Sequence, residues 1–260
     1  MLKRERLLKI IEKVNANGII TVHDIIEQLK VSDMTARRDL DELERAGKLV
    51  RIHGGAQSIA MPQKLERSNT EKLTVQIEEK KEIARYASQL INDGETIFIG
   101  PGTTLECLAE ALVNRHIRII TNSLPVFTIL NKSKTVDLIL IGGEYRAITG
   151  AFVGSLASQT ILSLKFAKAF ISCNGIYKND IATYSENEGV IQRLACDNAI
   201  EKYLLVDNQK FNAYDFYSFY HLDNIDAIIT DSKISDSVKE RYRQFAKLLI
   251  ARPADNQVSS

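Results

Sequence analysis

Along the first fifty residues, apolar positions recur with the spacing of an α-helix. Leu7, Leu8, Ile11 and Val14 share a stripe, and the stretch from Asn15 to Gly18 is a stop signal, so a first helix is predicted over 4–14. Thr21 opens a second helix. Asp24 stands three residues on in a capping-box pattern, and Val22, Ile25, Ile26 and Leu29 form the apolar face. Ser32 caps a third helix with Ala36, Leu40 and Leu43 on its apolar side, and Gly47 ends it. The run 49–52 then reads as a short strand closed by Gly54-Gly55. Further on the pattern alternates. Ile83, Ala87, Leu90 and Ile91 predict a helix, and 96–99 is a short apolar run of strand character. Strands are predicted at 118–121, 136–141, 168–172, 202–206, 227–230 and 248–251, and helices at 104–113, 124–131, 156–164, 188–198 and 236–245.

These elements predict an α/β protein with two domains. Two short helices joined by Lys30-Val31-Ser32, followed by a two-stranded flap, read as a winged helix-turn-helix over residues 1–56. Residues 57–70 mix Ser, Pro62, Gln and charge without periodicity and read as a linker. Residues 71–251 alternate strand and helix, which predicts a mainly parallel sheet covered by helices, and 252–260 read as a disordered tail.

Composition narrows the function. Of 260 residues, 45% are hydrophobic and 26% charged, with a net charge of +1, so the chain is neither a bulk polycation nor an acidic disordered protein. No apolar run approaches the ~20 residues of a bilayer span. The start, Met1-Leu2-Lys3-Arg4-Glu5-Arg6, lacks the apolar core of a signal peptide, so a cytoplasmic, unprocessed protein is expected. Cys107, Cys173 and Cys196 have no C-x-x-C spacing and read as buried small hydrophobes, and the four dispersed histidines make no metal-ligand pattern. No cofactor is expected.

The third helix carries a distinct polar face. Ser32, Asp33, Thr35, Arg37 and Arg38 lie in its first turns, which in a helix-turn-helix reach base edges in the major groove. Arginine donates twice to guanine O6 and N7. Lys48, Arg51 and His53 lie on the flap, where phosphate or minor-groove contact is expected. The competing reading is a solvated face of ion pairs, Arg37–Asp41, Arg38–Glu42 and Asp41–Arg45. Residues 1–60 hold eleven Lys and Arg against nine Asp and Glu, so DNA binding would need a focused patch and two copies on the duplex.

Ligands of open parallel sheets sit beyond the carboxyl ends of the strands. Gly100, Gly102, Thr103 and Thr104 follow one predicted strand, Thr121 and Asn122 the next, Gly143, Glu144 and Arg146 a third, and Asp207 and Lys210 a fourth. Glycines allow close approach to a phosphate, a helix start adds N–H donors, and the cations and hydroxyls suit a sugar phosphate. Each piece has a bland alternative: a tight turn with a Thr cap, a solvated Lys210, an Arg146 paired with Glu144. Taken together, the four candidates fall at the same end of one sheet.

The string Val31-Ser32-Asp33-Met34-Thr35-Ala36-Arg37-Arg38-Asp39-Leu40, followed by Leu43, Gly47 and Arg51-Ile52-His53-Gly54-Gly55-Ala56, resembles the signature of the DeoR family of bacterial sugar-metabolism repressors. Ala36 departs from the family's more usual Ile or Val. The resemblance runs from about Lys3 to Ile250 and implies a sensor domain similar to the ribose-5-phosphate isomerase fold. It implies a phosphosugar site at Gly102-Thr103-Thr104, Thr121-Asn122, Gly142-Gly143 with Arg146, and Asp207 with Lys210. Residues 98–104, 150–154 and 200–207 resemble the lactose phosphotransferase-system repressors, whose inducer is tagatose-6-phosphate. Asn174-Gly175 stands where many members have Asp-Gly. The partners so implied are operator DNA, a phosphorylated sugar effector and further copies of the chain, as a dimer or tetramer. The alternative is a sugar-phosphate isomerase with an appended DNA-binding module. The isomerases of this fold carry clustered acids near positions 174–179, where this chain has none, which leaves Glu144, Glu186 and Asp207 as bases. A module binding protein rather than DNA is the third reading, and the string at 31–40 argues against it.

Overall fold

A computed structural model of the chain describes residues 2–52, 54–58 and 66–253. It divides into two units, residues 1–65 and 66–260.

The first unit runs α1 (Lys3–Asn17), β1 (Ile19–Thr21), α2 (Val22–Leu29), α3 (Asp33–Arg45), β2 (Leu49–Ile52) and β3 (Gly55–Ser58). The capping box at α2 forms: the Asp24 N–H donates to Thr21 Oγ1 at 3.0 Å, and the Thr21 N–H donates to Asp24 Oδ2 at 3.1 Å. Lys30 takes the left-handed conformation that turns the chain from α2 into α3, and Ser32 Oγ caps α3. Ile10, Val14, Ile25, Ala36, Leu40 and Leu49 close the core. The expected two-stranded flap is a three-stranded antiparallel sheet in the order β1-β3-β2. Gly55 makes this possible, because a Cβ there would meet Ile20 O at 2.3 Å. Gln57 and Ser58, expected as linker, are therefore strand residues of the wing. His53, residues 59–65 of the expected linker and 254–260 of the expected tail lie outside the described residues.

The second unit opens with α4 (Asn69–Leu73), so the linker reading of 69 and 70 is also corrected: Ser68 and Glu71 form a capping box. There follow α5 (Ile77–Ser88), β4 (Thr96–Ile99), α6 (Thr103–Leu112), β5 (Arg118–Thr121), α7 (Leu124–Leu130) and β6 (Asp137–Leu140). Next come β7 (Glu144–Arg146), β8 (Ala151–Val153), α8 (Gly154–Leu162), β9 (Phe166–Ile171), β10 (Gly175–Tyr177), β11 (Asp180–Thr183) and α9 (Glu186–Asp197). The unit ends with β12 (Ala199–Leu205), β13 (Tyr217–His221), β14 (Ala227–Thr230), α10 (Asp236–Tyr242) and β15 (Lys247–Ile250).

Seven strands form one parallel sheet in the order β15-β14-β12-β9-β4-β5-β6. Alternate side chains feed two cores. Phe98, Ile120, Leu204 and Ile228 pack against Ala157 and Ile161 of α8 and Ile191 of α9. Ile97, Ile99, Tyr203 and Leu205 pack against Ile83 of α5 and Leu105 and Leu108 of α6. With both faces buried, the strands read as continuous apolar runs. After β4 the chain crosses to one face, and after β9 it reaches α9 on the other. The crevice beyond the ends of β4 and β9 is thus the topological switch point, where such sheets bind ligands. A hairpin of β7 and β8 and a small antiparallel sheet, β10-β11-β13, stand at this end and were not foreseen. Among the described residues no helix is long and apolar enough to cross a membrane.

Candidate functional sites

In the first unit, α3 presents its first two turns to solvent. Ser32 Oγ accepts from the Thr35 N–H at 3.3 Å and meets Thr35 Oγ1 at 2.9 Å. Arg37 Nε donates to Asp33 Oδ1 at 2.6 Å, one turn back rather than forward to Asp41. Both groups are exposed, so this pair is easily exchanged for an outside acceptor. Arg38 and Lys48 are exposed, and among the described residues their side chains have no hydrogen-bond or ion-pair partner. Arg38 opens onto a groove between α1 and α3 lined by Lys3, Arg6, Asp39, Glu42 and Arg45, in which cations outnumber carboxylates. Asp39 faces inward and accepts from Arg6 Nε and, at 3.0 Å, from Nη2, a buried fork that ties α3 to α1. Arg51, expected to touch DNA, is half-buried. Its guanidinium donates to Gly55 O at 3.1 Å and lies 3.3 Å from Asp41 Oδ1, and its own N–H reaches Glu44 Oε1 at 2.8 Å. These bonds make Arg51 the anchor of the wing on α3 rather than a free cation, a correction to the sequence reading.

In the second unit, the expected residues gather at the carboxyl end of the sheet. The Gly100 N–H donates to Phe170 O at 3.0 Å, which ties the loop after β4 to β9. Gly102, at φ +130°, turns the chain into α6, so that the first-turn amides of Thr103 and Thr104 begin a helix there. A Cβ on Gly102 would lie 3.6 Å from the Ser172 side chain, so the loops after β4 and β9 abut. Thr121 Oγ1 accepts from the Ser123 N–H at 3.0 Å. Asn122 is fully buried; its Nδ2 donates to Phe152 O at 2.9 Å, and its Oδ1 has no partner among the described residues. An unsatisfied buried acceptor is costly and is suited to an incoming hydroxyl. Asp207 is buried and caps a 3-10 turn that carries Lys210, accepting from the Gln209 N–H at 3.0 Å. The turn is held from the other side by Asp231, which accepts from the Asn208 N–H at 2.6 Å.

Two further ammonium groups join Lys210. Lys80 of α5 is 4% exposed and donates from Nζ to Lys72 O at 2.6 Å. Lys72 of α4 donates from Nζ to Asn174 Oδ1 at 3.2 Å. Burial pulls both ammoniums below the ordinary lysine range, and repulsion from Lys210 pulls them further, while Asp207 partly offsets this at Lys80. Among the described residues none of the three has a carboxylate within ion-pair distance. Burial pushes the neighbouring Cys173 thiol up to about 12, which keeps it protonated and unreactive.

Glu144 and Arg146 lie differently from expectation. Glu144 is exposed and folds over Gly154 at the start of α8, where a glycine Cβ would sit 2.6 Å from Glu144 Oε1. Arg146 does not pair with Glu144. It donates from Nη1 to Glu66 Oε1 at 2.8 Å and to Glu188 Oε1 at 3.1 Å, and Nη2 reaches Glu66 Oε2. Both carboxylates are buried, so its charge is already compensated, and the reading of Arg146 as a phosphate ligand is corrected to a structural clamp. Gly143 is required by packing, since a Cβ would meet Val153 O at 2.5 Å.

Residues 6–61 match the DeoR-like helix-turn-helix domain, and residues 75–232 match the DeoR C terminal sensor domain. This chain belongs to the DeoR family. Relatives include the lactose phosphotransferase system repressor of Lactococcus lactis subsp. lactis, 55% identical over 254 residues, covering 96% of this chain and 100% of that one. The protein of the same name from Streptococcus mutans is 47% identical over 242 residues, covering 92% and 96%. Solved structures that share part of the fold include ribose 5-phosphate isomerase A from Methanocaldococcus jannaschii, 17% identical, TM-score 0.39, covering 52% of this chain and 55% of that one. Another is eIF2B beta from Chaetomium thermophilum, 16% identical, TM-score 0.43, covering 58% and 48%. Both likenesses are too slight to argue from.

In this DeoR sensor domain, Lys72 and Lys80 are ammonium groups near Lys210 that the strand ends do not reveal, because both lie on helices before the first strand of the sheet. Lys80 did carry a signal. It shares the stripe of Ile83, Ala84 and Ala87, and a lysine on a buried face needs a reason. Lys72 carried none, since α4 is a single turn without an apolar face.

Proposed function

We propose that the protein is a sugar-operon repressor: the first unit binds operator DNA through the exposed start of α3, and the sensor domain binds a phosphorylated sugar that weakens that binding. The observation that carries the reading is the meeting of Lys80 and Lys210 with the start of α6 at the switch-point crevice. Several N–H donors and cations without carboxylate partners suit a phosphate dianion, and the unpaired Asn122 Oδ1 suits a sugar hydroxyl. The named function of the relatives supports a lactose-related operon, and tagatose-6-phosphate is the effector proposed first. A repressor of this kind acts in the cytoplasm as a symmetric dimer or tetramer, because one recognition helix covers too few base pairs for useful specificity.

Fluorescence anisotropy on operator DNA, with and without tagatose-6-phosphate, tests the reading. Saturating ligand is expected to weaken operator binding by about 1–3 kcal/mol, and Lys210→Ala is expected to keep operator affinity and lose the response. Equal calorimetric binding of the sugar and its phosphate would reject a phosphate site. Conversion of the sugar during the titration would favour the isomerase, with Asp207 beside Lys80 as its base.

A further inference from the structure

Helix α3 carries five carboxylates, and each of them is engaged by a neighbour. Asp33 pairs with Arg37 at 2.6 Å, Asp39 with Arg6, and Asp41 with Arg51 at 3.3 Å. Glu42 pairs with Lys3 at 2.6 Å, and Glu44 accepts from the Arg51 N–H at 2.8 Å. Their repulsion of a phosphate backbone is thereby reduced. What stays free is an outward stripe. Met34, Arg38, Asp41 and Arg45 stand opposite the buried Ala36, Leu40 and Leu43, and Arg51 draws Asp41 aside toward the wing. Arg45, like Arg38, is exposed, and its side chain has no partner among the described residues.

Met34 is the apolar member of this stripe. It is 66% exposed, while the core of the first unit lies on the other face of the same helix. It is the second residue of α3, in the part of a recognition helix that meets base edges, one turn before Arg38. A lone exposed apolar residue is ordinary on a protein surface. This one stands on the face that meets DNA, beside cations that bring the duplex to it. A thioether has no donor and is a weak acceptor, so the base feature it suits is an apolar one. The major groove displays one, the C5-methyl group of thymine. An unbranched side chain with three rotatable bonds settles against such a methyl group without strain.

We propose that Met34 reads a thymine by packing against its C5-methyl group, and that this thymine lies within about two base pairs of the base read by Arg38. The inference rests on the reading of α3 as the operator-binding helix. The spacing follows from helix geometry: four residues rise about 6 Å, and base pairs stack ~3.4 Å apart. Arg38 supplies directional hydrogen bonds. Met34 supplies discrimination against every pair that presents no methyl group at that place. Arg45, two turns beyond Arg38 on the same stripe, is left to meet the backbone. In a symmetric assembly each half-site carries the same thymine.

The test uses the full chain. Selection from a random duplex library defines the preferred half-site. Fluorescence anisotropy then measures binding as each thymine of the half-site is replaced by uracil, which removes the methyl group alone. One replacement is expected to weaken wild type by about three- to tenfold, within about two base pairs of the position at which Arg38→Ala loses discrimination. Met34→Ala leaves the core of the first unit intact, because the side chain is exposed. It is expected to bind the thymine duplex more weakly than wild type by a similar factor, and to bind the thymine and uracil duplexes equally. A uracil penalty of the same size in wild type and Met34→Ala at every position overturns the proposal, and so does the lack of any penalty in wild type. In both cases specific operator binding stands. Failure of the selection to enrich any sequence overturns the operator-binding reading and this inference with it.

Discussion

Arg38 and Lys48 are both exposed cations of the first unit whose side chains have no partner among the described residues, yet they are placed to do different work. Arg38 projects from the second turn of α3, the part of a recognition helix that meets base edges, whereas Lys48 lies between α3 and the wing. Arg38→Ala is therefore expected to weaken operator binding by ~1–3 kcal/mol and to leave a scrambled duplex nearly unaffected. Lys48→Ala is expected to weaken both duplexes alike and to reduce the slope of log affinity against log salt by about 1. Anisotropy titrations at several salt concentrations separate the two. An equal loss on both duplexes for Arg38→Ala would move that residue to the phosphate backbone.

At the scale of elements, the question is what holds the recognition helix at its angle. Its apolar face is modest, and Ala36 contributes little volume beside Leu40 and Leu43. The most buried polar restraint is the fork from Arg6 to Asp39, which joins the middle of α3 to α1 beside the more exposed bonds of Arg51 to Asp41 and Glu44 and of Lys3 to Glu42. Asp39→Ala leaves the Arg6 guanidinium without its partner in a mostly buried place. It is expected to destabilise the first unit by about 3 kcal/mol, toward the low end for a broken buried pair because Arg6 keeps some access to water. Operator and non-specific binding should fall together as the helix loosens. Urea unfolding, followed by a probe on the first unit, checks this, and an unchanged midpoint would show that the fork does not hold α3. In the sensor domain, the loops after β4 and β9 are similarly fixed to each other, by the bond from Gly100 to Phe170 and the approach of Gly102 to Ser172. The candidate site is therefore built on the ends of the sheet.

At the scale of the whole molecule, the two units have separate cores, and the second has helices on both faces of its sheet. A chain beginning at Glu66 keeps both sensor cores and the Arg146 clamp. It is expected to fold and, because specific DNA binding needs two recognition helices held ~34–36 Å or whole multiples apart, to carry the self-association. Sedimentation of that chain as a dimer or larger is the expected result. A monodisperse monomer would place the association in the first unit.

The amino-acid sequence by itself determined the elements and the class of chemistry. The cap at Thr21 and Asp24, the cap at Ser32, the apolar stripes of α1 and α3 and the positions of the seven parallel strands along the chain all depend on neighbours a few residues away. Short-range spacing therefore carries them. Long-range pairing of charges is different, because any of the chain's 34 basic residues can meet any of its 33 acidic ones until the backbone brings particular pairs together. Only the tertiary structure decided that Arg146 faces Glu66, 80 positions away, and not Glu144 two positions away, and that Arg51 folds back on the wing. It also decided that Lys72 and Lys80, from helices that precede the sheet, meet one another and Asn174 after β9. The β7–β8 hairpin and the β10-β11-β13 sheet escaped for a related reason. Their strands are three to five residues long and, unlike the equally short strands of the parallel sheet, are not continuous apolar runs between helices, so local spacing did not mark them.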